Sequence, residues 1–133
     1  MQSAEFRVNA KCNIWEFKME YNNIENKSFE FAVRTVNLYK FLRYEKNEHV
    51  LSKQVLRSGT SIGANVAEAQ KAQSRPDFNA KLNIALKEAN ETYYWLRLLH
   101  RTEYITDDAF KSMEKDINEI ISILVTICKQ TNK

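Results

Sequence analysis

Little in this chain bends or breaks a backbone. Its 133 residues include two glycines and one proline. Turns and hairpins draw heavily on both residue types, so their scarcity argues against an all-β fold and for long helices. Cysteine is as sparse. Cys12 and Cys128 lie far apart with no Cys-x-x-Cys spacing, which leaves two reduced thiols as the expectation rather than a disulfide framework or a zinc site. No apolar run approaches the roughly 18 residues of a membrane span. No basic segment followed by an apolar one opens the chain in the manner of a secretory leader. The expected location is therefore cytoplasmic, with no membrane partner.

Reactive constellations are missing too. There is no Walker phosphate loop, no His-Glu-x-x-His, no Gly-x-Ser-x-Gly and no glycine-rich dinucleotide turn. The two histidines, His49 and His100, are not preceded at three residues by glutamate, so the Glu-x-x-His pairs of a di-iron bundle are absent. His49 is expected to be solvated in a first helical turn. His100 is expected to be half-buried and satisfied near a helix end. No enzymatic activity, cofactor or metal is expected.

Apolar side chains make up 44% of the chain and charged ones 28%, the balance of a single globular domain. Net charge is only +3, but it is unevenly spread. Residues 46–101 carry nine basic and five acidic side chains, whereas residues 102–133 carry four and six. A basic centre beside an acidic last segment permits contact with an anionic partner.

Hydrophobic periodicity divides the chain into an N-terminal extension or arm, residues 1–25, and a bundle, residues 26–130. Residues 13–21 roughly alternate apolar and polar, which reads as a strand or extended arm. The first helix is predicted at about 28–44, entered through Asn26 or Ser28 as N-cap. Phe29, Ala32, Val33, Val36 and Tyr39 form its expected core face, with Phe31, Leu38 and Leu42 on roughly the opposite side. The second helix, about 48–72 with Asn47 as cap, carries Leu51, Val55, Ser58, Ile62, Asn65 or Val66, and Ala69 on its seam. The third, about 76–101, follows a capping signal, Ser74-Arg-Pro-Asp77. Its stripe is Phe78, Leu82, Ala85, Ala89, Tyr93 and Leu96, with Ile84, Trp95 and Leu98 on nearly the opposite side. The fourth, about 106–129, is capped by Thr106 and carries Phe110, Met113, Ile117, Ile121, Leu124 and Cys128 on one face. Four such helices with short connections predict an all-α, antiparallel up-down-up-down four-helix bundle. The second stripes, Phe31, Leu38 and Leu42 with Ile84, Trp95 and Leu98, predict an oligomer interface, because monomers rarely expose large apolar patches.

The stretch Arg57–Ala72 holds both glycines, Gly59 and Gly63, amid small residues. Glycine costs a helix interior roughly 1 kcal/mol against alanine, so a pair at helical spacing marks a site where another backbone comes close. Gly59, Gly63 and Asn65 are the expected helix-packing residues. A buried Asn65, like a buried Glu68, would need a hydrogen-bond partner, and a network that fixes helix register is the expectation. Outside this packing face, Lys53, Arg57 and Lys71 share one stripe of the second helix, and Lys87, Arg97 and Arg101 an arc of roughly 80° on the third. With Arg75 they are the candidate phosphate contacts. Of the aromatic run Tyr93-Tyr94-Trp95, packing accounts for Tyr93 and Trp95, while Tyr94 is freer.

The segments 57–69, Asp77-Phe78, 81–89 and 91–99 together resemble the bacterial four-helix-bundle proteins known as 23S rRNA intervening-sequence proteins. The resemblance covers about residues 26–130 and is most specific through the second and third helices. It implies a homopentameric ring of four-helix protomers without enzymatic activity. A similar fold, the accessory variability determinant of diversity-generating retroelements, is a basic pentameric barrel that binds nucleic acid and a reverse transcriptase. The resemblance thus implies self-association and, as partners, RNA or DNA, a reverse transcriptase or another protein. The expected function is a nucleic-acid-binding accessory factor, with a protein-docking scaffold as the alternative.

Overall fold

The computed structural model describes residues 14–131, with side-chain surroundings from residue 21 onward. Four helices account for nearly all of them: α1 (Ile14–Tyr44), α2 (Leu51–Ala69), α3 (Arg75–Arg101) and α4 (Asp107–Thr131). α1 packs against α2 and α4, and α3 packs against the same two, so α1 and α3 stand at opposite corners of the bundle.

Each helix presents a seam that steps by three and four. On α1 it runs Tyr21, Ile24, Ser28, Phe31, Thr35, Leu38, Leu42, buried throughout except at half-buried Leu38. On α2 it runs Ser52, Val55, Gly59, Ile62, Val66, Ala69; on α3 Phe78, Leu82, Ala85, Ala89, Thr92, Leu96, Leu99; on α4 Met113, Ile117, Ile120, Leu124, Ile127, Thr131. This 3-4 alternation is the spacing that lets side chains of one helix fill the gaps of its neighbours. The buried hydroxyls on these seams are tolerated because each donates to a carbonyl three or four residues back along the chain. Thr35 reaches Phe31 O at 2.8 Å, Ser52 reaches Glu48 O at 2.9 Å and Thr131 reaches Ile127 O at 3.0 Å.

The seam of α1 corrects two expectations. Residues 14–25 are helical, not extended, and they bring Tyr21 and Ile24 into the core. The Tyr21 hydroxyl donates to Val66 O at 2.6 Å and its ring stacks on Phe78. Burial drives the phenol pKa upward, with the Glu25 carboxylate adding to the shift. Residues 1–13, Cys12 among them, lie outside the described residues. The two faces of α1 are also exchanged. Phe31 and Leu42 are fully buried and Leu38 packs against the core, so these three are not an outer interface. Phe29, Val33 and Val36, expected inside, are the exposed ones, Phe29 at 66%. The seam that continues unbroken through Tyr21 and Ile24 wins over the shorter one. On α3, Ile84 is exposed and Trp95 and Leu98 are half-buried.

The two glycines sit where α2 crosses α1. A Cβ on Gly59 would lie 2.6 Å from Thr35 Cγ2, and one on Gly63 would lie 3.2 Å from Ser28 O. Asn65 is half-buried and its Nδ2 donates to Ser61 O one turn back, while Glu68 is exposed and paired with Lys81. A further buried polar contact between helices is Thr92 Oγ1 to Ser58 Oγ, 2.9 Å, joining α3 to α2.

Helix ends follow local chemistry. Ser74 caps α3 by accepting from Asp77 N, and Thr106 caps α4 by accepting from Ala109 N. α2 starts at Leu51 rather than 48, because the buried Glu48 carboxylate accepts from the N–H groups of Val50, Leu51 and Ser52. Burial raises the Glu48 pKa, but those bonds outweigh it and hold the carboxyl below its ordinary value. Asn47, the expected cap, instead turns the chain in the left-handed region at φ 56. Cys128 is buried in α4, its thiol pushed up to about 11 by burial.

Candidate nucleic-acid interface

The seven candidate cations separate into three groups. Arg57 is committed to a carboxylate pair on α3: Nη1 lies 3.2 Å from Glu88 Oε1, and Nη2 bonds Glu91 Oε2. Glu91 in turn accepts from Trp95 Nε1 at 2.9 Å. That indole bond does most to hold the Glu91 carboxyl below its usual range, with the Arg57 guanidinium adding to it. Arg57 is thus a strut between α2 and α3. Arg75 is half-buried and directs Nε and Nη2 to Thr131 O at 3.1 and 2.9 Å, joined by Asn79 Nδ2, so it ties down the end of α4. Lys53 is exposed on α2, and Lys71 is exposed just past its end.

The remaining three, Lys87, Arg97 and Arg101, all lie on α3. By the helical period they share an arc of about 80° with Asn90 and Tyr94, and all five residues are exposed. From Lys87 to Arg101 the arc spans about 21 Å at 1.5 Å per residue. Lys87 and Arg101 form no ion pair among the described residues, and Arg97 lies over the Tyr93 ring, 5.9 Å from its centroid. Elsewhere cations are neutralised where helices meet, Lys27 by Glu119, Arg34 by Asp116 and Lys81 by Glu68.

At the Arg101 end the arc opens into a surface pocket of about 390 Å³ between α3 and the start of α4. One wall is Tyr94, 54% exposed, its ring held edge-on against Trp95. The pocket is also lined by His100 and Phe110, which stack with centroids 4.3 Å apart and planes 2° apart. His100 Nε2 bonds Asp107 Oδ1 at 2.6 Å, and this bond keeps the Asp107 carboxyl below its usual range. The Tyr93 hydroxyl donates to Glu114 Oε2 at 2.7 Å, which raises its pKa, with burial and the carboxylate charge adding. His100 is the half-buried, satisfied histidine expected, and His49 is exposed. Nothing in the sequence points to this pocket, since it depends on Phe110 of α4 meeting His100 of α3. A larger pocket, about 690 Å³, lies on the other side of His100 between α1 and the α3–α4 turn. Its charges are mixed, and Arg34 on its wall is already bonded to Asp116 and Ser112.

Among the described residues no group of three or more His, Cys, Asp or Glu side chains could hold a metal ion. Nor is any helix among them long and apolar enough to cross a membrane.

The 23S rRNA-intervening sequence protein family matches this chain over residues 20–126. The chain belongs to that family. The match begins within α1, just before Tyr21, and runs well into α4, so it takes in the pocket and the arc beside it. A solved structure agrees. It is a protein of unknown function from the S23 ribosomal protein family of Bacteroides thetaiotaomicron, 63% identical with a TM-score of 0.82. The alignment covers 83% of this chain and 98% of that one. No curated protein matches. Family membership accounts for the bundle and carries no residue roles, so the arc on α3 has to be judged on its own chemistry.

Proposed function

We propose that this intervening-sequence family member is a non-enzymatic cytoplasmic accessory protein. In this reading it assembles into a closed homo-oligomeric ring and holds nucleic acid by its phosphate backbone. The observation that carries the reading is the arc Lys87, Arg97 and Arg101, which makes no contact ion pair among the described residues while cations at the helix seams are paired. Lys53 and Lys71 extend the basic surface on α2, whereas Arg57 and Arg75 are withdrawn from it by their structural bonds. A ring would repeat the arc once per subunit, so a modest charge on each chain becomes a continuous field.

The case for a ring rests on α1 and α3. Phe29, Val33 and Val36 leave an apolar stripe on one corner of the bundle, and exposed Ile84, with half-buried Trp95 and Leu98 further along α3, leaves separate apolar groups on the opposite corner. Two unlike patches on opposite sides favour head-to-tail contact, which closes into a ring when the rotation allows. Five copies is the number that the family resemblance implies. The up-down-up-down course of the helices is supported by the order of their contacts: Ser28 meets Gly63 and Thr35 meets Gly59, while Lys27 meets Glu119 and Arg34 meets Asp116.

Light scattering on the purified chain tests the ring, and a gel-shift titration with RNA and DNA at several salt concentrations tests the binding. About three phosphates held by one arc give a log–log salt slope near −2 on a single strand. Absence of any shift at low salt removes the nucleic-acid reading. A second reading, a scaffold that docks another protein, is favoured by the exposure of Phe29. A chain that stays monomeric leaves that face free and supports the scaffold.

A further inference from the structure

We infer that the pocket at the end of the α3 arc is a stacking site for an unpaired nucleobase, so the ligand class is single-stranded nucleic acid rather than duplex. The inference rests on the phosphate-binding reading of the arc and adds what that reading omits. A set of free cations attracts any polyanion. An aromatic wall beside those cations attracts one that can present a ring, and a base in a duplex has no free face to offer.

The geometry has three parts. Tyr94 supplies an exposed ring whose other contact, with Trp95, is an edge-to-face one that fixes its orientation in advance. The His100–Phe110 stack lines the same pocket and is held by the Asp107 bond, so less ordering is needed on binding. Arg97 and Arg101 stand one turn apart on the same helix as Tyr94 and line the same pocket. A base seated there carries its flanking phosphates toward guanidinium groups. The pocket's volume of about 390 Å³ admits a base together with part of its sugar.

One group at the pocket repels phosphate, the Glu114 carboxylate. It already accepts from Tyr93, and an oxygen so placed can also accept from an exocyclic amino group. The chemistry therefore favours aminated bases, adenine and cytosine above uracil and thymine.

The test is fluorescence anisotropy on the full-length chain with three labelled probes, an oligo-adenylate 12-mer, an abasic strand of the same phosphate number, and a blunt 12-base-pair duplex, whose doubled phosphate number is allowed for by comparing affinities per phosphate. The expected result is oligo-adenylate bound at least about tenfold more tightly than the abasic strand, the effect of about one stacked base, and more tightly than the duplex. Tyr94→Ala should bring the adenylate-to-abasic ratio to about one, while Tyr94→Phe keeps it. Arg97→Ala weakens all three probes alike and lowers the salt slope. If the wild-type chain binds adenylate and abasic strands equally, the stacking site is wrong and the phosphate reading stands. Preference for the duplex likewise overturns the stacking site and spares the phosphate reading. If no strand binds at low salt, both readings fall. The wild-type comparison of strands needs no variant, so a misfolded Tyr94→Ala chain does not shield the inference.

Discussion

Replacing Gly59 by alanine sets two opposed and separately known effects against each other. In a solvated helix the change stabilises by about 1 kcal/mol, because glycine has more backbone freedom to lose. Here the new methyl would lie 2.6 Å from Thr35 Cγ2 and 2.7 Å from Thr35 Oγ1, against a comfortable carbon–carbon separation of about 3.5–4.0 Å. Thr35 cannot swing aside cheaply. It is β-branched, fully buried, and its hydroxyl donates to Phe31 O at 2.8 Å. The helices must part by roughly 1 Å, and overpacking of this kind costs about 1–3 kcal/mol. The net expectation is a loss of up to about 2 kcal/mol.

A urea titration followed by helical circular dichroism, at one fixed protein concentration, reads this as a lower midpoint with an unchanged slope. A loss of 1–2 kcal/mol corresponds to about 0.5–1 M urea. Thr35→Ala in the same chain removes both offending atoms, so the pair should show a favourable coupling of about 1–2 kcal/mol. Gly63→Ala is the internal control. Its methyl meets Ser28 O at 3.2 Å, a contact relieved by a few tenths of an ångström, so propensity and crowding roughly cancel. Stabilisation by Gly59→Ala, or strict additivity with Thr35→Ala, would refute the close approach of this helix pair.

Three further outcomes can be measured by the same methods. Thr92→Val removes the hydroxyl partner of Ser58 Oγ, whose remaining bond is a 3.5 Å contact to Val55 O. It should cost about 1–2 kcal/mol, and adding Ser58→Ala should recover most of the loss by removing the orphan. The Glu48 carboxyl is held below its ordinary pKa in the folded chain, so its contribution is complete above that ordinary value and disappears as pH falls through the folded one. Glu48→Gln should therefore be less stable than wild type near neutrality and should flatten the acid limb of midpoint against pH. Finally, Phe31→Ala should lower stability by about 3–5 kcal/mol as a core truncation. Phe29→Glu should leave protomer helicity intact and reduce the assembly mass seen by light scattering. The reverse pattern would put Phe29 inside and Phe31 outside.

The arrangement of helices is legible in the sequence because three of the four carry strong local signals. Ser74 with Pro76 and Thr106 announce the starts of α3 and α4 by side-chain chemistry that depends on no tertiary contact. Most of the expected seam residues of α2, α3 and α4 are buried. α1 is harder because its seam follows a rule that apolar counting ignores. Two of its seven positions are Ser28 and Thr35, the residues facing the glycines of α2. A hydroxyl that donates to its own helix behaves as a small core residue, and it fits opposite glycine where a valine would crowd. Scored as polar, those positions break the true seam and make Phe29, Val33 and Val36 look like the better face. The glycine pair is itself the missing signal, since close approach at Gly59 and Gly63 demands small partners, and on α1 only the Ser28–Thr35 face provides them.

The candidate site divides along similar lines. That Lys87, Arg97 and Arg101 share a face follows from the helical period alone, and they do. Whether a cation is free depends on what the neighbouring helix places opposite it, which a single-helix projection does not contain. Arg57 and Arg75 look the same in sequence as Arg97 and Arg101, yet Glu88 and Glu91 occupy the first and the Thr131 carbonyl the second. The same dependence works in favour of the pocket. Tyr94 alone is an exposed aromatic of the kind every surface carries. It becomes one wall of a cavity because Thr106 starts α4 where Phe110 stacks on His100 and lines the same pocket. A substitution that displaces the start of α4 without touching α3, such as Thr106→Ala, should therefore weaken base-dependent binding while leaving the salt slope set by Lys87, Arg97 and Arg101 unchanged. That separation would distinguish a built pocket from a tyrosine that merely happens to lie among cations.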